Sequence, residues 1–328
     1  MTGRKWICMC WLSAAVALTA TAATGRDSDP AETLVPASAV TRFPVPSATP
    51  AVTQPEHLFA SPTRADRIGR VMAPVMINGR GPFRMIVDTG ANQSVLTYSA
   101  AAMLGLTPAA DAGVKLTGVT GSQMVPTITV DTFETGSVSQ RNLRVAVMHS
   151  VSGGAEGILG MQGFAGKRIT VDFVNDRIRI ADSRGQRAAR NFAAIPVTIR
   201  FGRLLLAEGR VGGVRVHAVI DTGAERTLGN RALRDALVRL KRLPAPPTSA
   251  GVIGLTEVEQ RGEAIWTRRI SLGDVDITDV DVIYGDIHVF KVWDLETEPA
   301  LLVGMDILGM LHTIIVDYRI KEVQIRPR

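Results

Sequence analysis

Two short runs in this chain set a carboxylate, a hydroxyl and a glycine in the same order. They are Asp88-Thr89-Gly90-Ala91 after the apolar stretch FRMIV, and Asp221-Thr222-Gly223-Ala224 after VHAVI. Alone, such a run is a turn, because Asp and Gly both favour turns. Two of them brought together have chemistry. Two carboxyl groups about 3 Å apart cannot both ionise, so they share one proton. The ionised partner can take a proton from a bound water, and the protonated one can donate to a carbonyl oxygen. Hydrolysis of a peptide bond needs both acts, and needs neither a metal nor a covalent intermediate to perform them. The glycine after the threonine lets the backbone turn closely beneath the carboxylate. The threonine hydroxyl can reach the opposite run and hold the two loops in register.

The elements that must position these runs also occur twice. Asp88 and Asp221 are offset by 133 residues, and so are Gly118-Val119-Thr120-Gly121 and Gly251-Val252-Ile253-Gly254. Further on, TGSVSQRNLRVAV aligns with LGDVDITDVDVIY (Gly136 on Gly273, offset 137), and GILGMQGF with LLVGMDIL (Gly160 on Gly304, offset 144). Last, ITVDFVNDRIRI aligns with IIVDYRIKEVQI (Asp172 on Asp317, offset 145). The offset only grows, as lengthening loops in the second copy would make it, one of them at Val292–Pro299. About one chain in ten of this length carries a single Asp-Thr-Gly by chance. Two, each followed by four matching landmarks in order, are a duplication.

The local pattern around these landmarks is mostly strand. RVMAPVMI, FRMIVDT, VRVHAVIDT, LRVAVM and VDVIY are short, rich in Val and Ile, and separated by glycines. NGRGPF reads as the hairpin turn before the first Asp-Thr-Gly. Asp274, Asp276, Asp279 and Asp281 alternate with apolar residues, which places them along the wet face of a strand rather than around a calcium loop. Two helices are expected: YSAAAMLGL, and NRALRDALVRLKRL with Asn230 as N-cap and Pro244 as its end. The fold class is therefore all-β with a few short helices.

Of the 328 residues, 46% are hydrophobic and 21% charged, so a core can form and global disorder is excluded. The only two cysteines, Cys8 and Cys10, exclude disulfides, thiolate metal sites and a cysteine nucleophile from the body of the protein. Arg4 and Lys5, the apolar run Trp6–Ala20 and the small residues at Ala20 and Ala22 have the layout of a secretory signal over 1–22. An uncleaved membrane anchor is the alternative; in either case the body lies outside the cytoplasm, periplasmic or extracellular. Residues 23–65, rich in Pro, Ala, Ser and Thr, read as a flexible leader. The first lobe is expected over 66–185 and the second over 190–328. Without Arg4 and Lys5 the net charge falls from +6 to +4, with the basic residues dispersed and no aromatic interleaving, so nucleic acid is not an expected partner. The five histidines have no paired ligand spacing, no metal or other cofactor is expected, and His217 reads as a packed strand residue.

On IVDTGANQSVL, VIDTGAERTLG, the two Gly-Val-x-Gly segments, GILG and LLVGMD, the chain resembles a retropepsin-type aspartic protease of the bacterial exported kind, with two such domains fused. The resemblance covers roughly residues 67–328. It implies two closed β-barrel lobes around a pseudo-twofold axis. Asp88 and Asp221 would be the catalytic pair, supported by Thr89, Gly90, Ala91, Thr222, Gly223 and Ala224. Gly118, Val119, Gly121, Gly251, Val252 and Gly254 would lie in or beside flaps closing over a peptide or protein substrate. The chain departs from the family in having Gln162 where the second half has Asp306, and in lacking the flap Tyr of pepsin-like enzymes. A silent peptide-binding protein of the same fold, or a dimer pairing halves of different chains, are the rival readings; an intramolecular pair in a monomer is preferred.

Overall fold

A computed structural model describes residues 10–11, 70–201, 203–243 and 246–328. Apart from Cys10–Trp11, which runs parallel to Leu116–Thr117, the expected signal and leader lie outside the described residues, as does Pro244. Among the described residues, no helix is long and apolar enough to cross a membrane.

Each lobe starts from a tight hairpin. Asn78 and Gly79, at φ 50° and 69°, join strands Met72–Ile77 and Arg80–Val87. Gly212 and Gly213, at φ 53° and 90°, join Leu204–Val211 and Val214–Ile220. Two central residues at positive φ match the right-handed twist of the flanking strands, and Asn and Gly accept that conformation at low cost. The second strand of each hairpin is almost wholly buried at its end, and the next residue is Asp88 or Asp221.

Around each hairpin the sheet closes on itself. In the first lobe the ring runs Ser122–Thr135, Met72–Ile77, Arg80–Val87, Gly157–Leu159, Val95–Thr97, Val138–Met148 and back to the first strand. In the second it runs Glu259–Leu272, Leu204–Val211, Val214–Ile220, Ala300–Val303, Leu228–Asn230, Val275–Gly285 and back. Both are six-stranded closed barrels with the same strand order, and closure removes the free edges that would invite pairing with another chain. Asp274, at the turn, and Asp276, Asp279 and Asp281, on strand Val275–Gly285, are all exposed.

A shared sheet joins the lobes. Its order is Arg177–Asp182, Lys167–Asp172, Thr313–Asp317, Glu322–Arg326, Ala193–Arg200. At its centre Asp172 faces Thr313 and Arg168 faces Asp317, with Thr170 opposite Ile315. These pairs map onto one another under the offset of 145, so the register itself is two-fold symmetric about Thr170 and Ile315. Asp317, fully buried, accepts from Arg168 Nη1 (2.8 Å), Ser183 Oγ (2.7 Å) and the amides of Arg319 and Ile320. Removing one partner of a buried pair leaves an uncompensated charge. Arg168→Leu is therefore expected to lower unfolding free energy by about 3 kcal/mol, measured by urea denaturation; an unchanged midpoint would show that Asp317 is satisfied without Arg168.

The two expected helices are present but shorter than expected: the first ends at Met103 and the second at Arg239, with Leu240 as its C-cap, well before Pro244. Thr97 caps Tyr98–Met103 through the amide of Ala100 (3.1 Å), and Asn230 caps Arg231–Arg239 through the amide of Leu233 (2.8 Å). Leu233, Ala236 and Leu237 bury one face of the second helix. Two further helices, His288–Val292 and Met305–Leu308, have five and four residues, too few to leave a periodic signal in the sequence.

Candidate active site

The two aspartate loops meet across the lobe boundary. Thr89 Oγ1 donates to the carbonyl of Ile220 (2.8 Å) and accepts from the amide of Thr222 (3.1 Å). Thr222 Oγ1 donates to the carbonyl of Val87 (2.6 Å) and accepts from the amide of Thr89 (3.2 Å). Each hydroxyl thus satisfies one donor and one acceptor of the opposite loop in a dry interior, where such groups are expensive to leave unpaired.

This exchange brings the Asp88 and Asp221 carboxyls within hydrogen-bonding reach of each other, and both residues have zero solvent exposure. Backbone amides hold the near oxygens. Gly90 N donates to Asp88 Oδ1 (2.8 Å), and Gly223 N and Ala224 N to Asp221 Oδ1 (2.9 and 3.2 Å). A Cβ at Gly223 would collide with the Asp88 carboxylate, which is why that position holds glycine. Burial, then the charge of Asp221, push the Asp88 carboxyl well above the ordinary carboxylate range; the amides of Gly90 and Ala91 oppose them only in part.

Behind each loop a strand ending in glycine packs closely. Gly160 N donates to Ser94 Oγ and Gly304 N to Thr227 Oγ1, both at 3.1 Å. Asp306 accepts from the hydroxyl (2.6 Å) and amide (2.9 Å) of Thr227. In the first lobe Gln162 Oε1 accepts from the amide of Ser94 at 3.2 Å. The amide oxygen of Gln162 thus replaces a carboxylate oxygen of Asp306, and the loop hydrogen bond that the substitution put in question is present.

The flap candidates occupy different places in their two hairpins. Gly118–Gly121 forms the turn between Ala109–Thr117 and Ser122–Thr135, closed by the amide of Gly118 on the carbonyl of Gly121 (2.8 Å). Gly251 and Val252 instead lie within strand Thr248–Ile253, and the turn runs from Gly254 to Val258. The second copy has four more residues between its Gly-Val-x-Gly and its next landmark, and they lengthen the hairpin beyond that segment. The two tips touch: a Cβ built on Gly121 would lie 3.2 Å from Val258 Cγ2 and 3.4 Å from Thr256 Oγ1. Val119 and Val252 are completely buried. The flap turns of the two lobes therefore meet each other.

Two residues near the site escaped the sequence reading. Arg70, buried, lies 3.7 Å from Glu225 on the opposite lobe, directly after Asp-Thr-Gly-Ala. Its signal was the repeat itself, since Arg70 and Arg203 are offset by the same 133 residues. In the other half Asn92 stands in the place of Glu225 and donates to the carbonyl of Phe201 (2.7 Å). His217 requires a correction. It is not packed into the barrel but bridges Glu208 (3.0 Å) and Glu298 (2.9 Å) at a partly exposed position. Among the described residues, no group of three or more His, Cys, Asp or Glu side chains is placed to hold a metal ion.

A protein-family model described as Aspartyl protease matches residues 73–162 and 207–307, one match over each Asp-Thr-Gly. No curated protein matches the chain in a sequence search.

Proposed function

We propose, since this chain belongs to the aspartyl protease family, that it is an endopeptidase in which Asp88 and Asp221 share one proton and activate a water between them. The observation that carries the reading is the meeting of two fully buried carboxyls, one from each lobe, above reciprocal threonine hydrogen bonds. With one proton on the pair, the ionised carboxyl takes a proton as water attacks the scissile carbonyl, and the other donates to its oxygen. The proton belongs to the pair rather than to one residue. One chain supplies both carboxyls, so a monomer suffices. The expected setting is the exported one, periplasmic or extracellular. Incubation of the purified chain with a defined peptide, with and without a chelator, tests the chemistry: cleavage is expected to be unaffected by EDTA, whereas inhibition that zinc reverses would contradict it.

The pH dependence follows from the loop composition. At Ala91 and Ala224 no side-chain hydroxyl can donate to the carboxylates and favour ionisation. Turnover requires one proton on the pair, so it fails at low pH when both carboxyls are protonated and at high pH when both are ionised. Raising the Asp88 carboxyl extends activity toward neutral pH. The expected optimum of kcat/KM lies at roughly pH 4.5–6.5. Ala91→Ser with Ala224→Ser is expected to move the profile to lower pH. A wild-type optimum below about pH 3.5, or a variant profile moving upward, would contradict this origin.

A further inference from the structure

The offset between the two halves grows by seven residues between Gly273 and Gly304. In the first lobe the corresponding connection carries a single 3-10 turn, Ser152–Gly154. In the second it carries the helix His288–Val292. The added segment is firmly rooted in its own lobe. Ile287, Val289, Phe290, Trp293 and Leu295 are at most 2% exposed, and Phe290 and Trp293 meet edge to face with ring centroids 6.1 Å apart. Asn230 Nδ2 donates to the carbonyls of Leu295 and Glu298, both at 2.6 Å.

Its free end points elsewhere. The amide of Val289, one of the first-turn donors that a helix cannot satisfy internally, donates to the carbonyl of Val119 at 2.9 Å. His288 Nε2 is 3.3 Å from Ser122 Oγ. Val119 is in the first lobe's flap turn and Ser122 opens the strand that follows. An element of one lobe therefore grips the flap of the other.

From these contacts we infer that the helix His288–Val292 is a latch: it holds the first-lobe flap against the second lobe, and protonation of His288 loosens it. Four groups face or flank His288. Ser122 and Gln260, whose Oε1 accepts from the His288 amide at 2.9 Å, are neutral. Lys115, on the flap strand, and Lys291, on the helix itself, are cations; after burial, they are what holds the imidazole below its ordinary range. Asp286, the nearest acid in sequence, is exposed. A protonated His288 would thus be a third cation at a contact that already has two, with no buried carboxylate to receive it. The latch would ease as pH falls toward the range in which the proposed protease works. The inference rests on that reading for its purpose but not for its test.

The test is hydrogen exchange of the full chain, read by mass spectrometry on peptides covering residues 117–125 and, as a reference, the bridging strands Lys167–Asp172 and Thr313–Asp317. Rates are corrected for the intrinsic pH dependence of exchange. Val289→Pro removes the donor in the first turn, one position beyond the N1 site that proline prefers, and Ser122→Ala removes the side-chain contact without touching the helix backbone. Flap exchange is expected to accelerate by about tenfold in Val289→Pro and by about threefold in Ser122→Ala, with the bridging strands unchanged. Wild-type flap exchange is expected to accelerate as pH falls below the ordinary imidazole value of about 6.5, and His288→Gln to abolish that response. The latch is overturned if Val289→Pro and Ser122→Ala leave the flap as protected as wild type, or if the bridging strands loosen as much as the flap. A pH response that persists in His288→Gln overturns the role of that residue. None of these readouts needs turnover, so a chain that proved not to cleave peptides would leave them intact.

Discussion

Asp88→Asn and Asp221→Asn are each expected to lower kcat/KM on a cleavable peptide by about a thousandfold or more. An amide neither takes a proton from water nor shares one with its neighbour, and each lobe supplies only one carboxyl to the pair. The two losses are not expected to add in the double variant, because either change already destroys the shared proton. Stability is expected to move the other way for Asp88→Asn. The folded protein holds this carboxyl well above the usual range through burial and the neighbouring charge. In the unfolded chain it ionises above about pH 4. Between that pH and the folded value the unfolded state gains an ionisation that the native state lacks, so the aspartate costs stability that asparagine does not. At pH 7 the melting temperature of Asp88→Asn is expected to exceed wild type by about a few degrees, with the gap closing below about pH 4. A thermal shift series over pH checks it, and a variant that melts lower at pH 7 would contradict the direction assigned to Asp88.

The second large effect concerns the flaps. Both aspartates have zero exposure and the flap tips touch, so peptide entry is expected to require the tips to separate. A Cβ built on Gly121 would lie 3.5 Å from Val258 Cβ. That separation is at the short end of the range of about 3.5–4.5 Å that disulfides span. Because the chain has cysteine only at positions 8 and 10, Gly121→Cys with Val258→Cys can be made in a background where both are serine. Oxidised, this variant is expected to lose activity by about a hundredfold or more, since the open state is no longer populated. A reductant is expected to restore it. Full turnover by fully cross-linked protein would mean that substrate enters by another route.

Much of this arrangement was legible before any coordinates. The ordered landmarks disclosed the duplication, the apolar strand before each Asp located the two loops, and NGRGPF marked the first hairpin, although its turn is Asn78-Gly79 alone and Arg80–Phe83 already belong to the strand. These signals are local. The Arg70–Glu225 pair was half legible, since Arg70 and Arg203 obey the repeat, but Glu225 has Asn92 as its counterpart and so breaks it. The five-residue latch helix was out of reach because one turn and a half carries no period. Its position on Val119 depends on where the other lobe stands, and His217 likewise depends on Glu298, brought alongside it across 81 residues of chain. The bridging sheet has the same character: its strands look ordinary in sequence, and only their symmetric register pairs one lobe with the other.

One chain with two aspartate loops is expected to hydrolyse peptide bonds unaided. The most direct measurement is incubation of the purified protein with a mixed peptide library between about pH 4 and pH 7, the range set by the shared-proton argument, with the new termini sequenced by mass spectrometry. New internal termini in the wild-type digest, absent from parallel digests with Asp88→Asn and with Asp221→Asn, are the predicted result. A wild-type digest without new termini at any pH, or the same termini in all three digests, would contradict it.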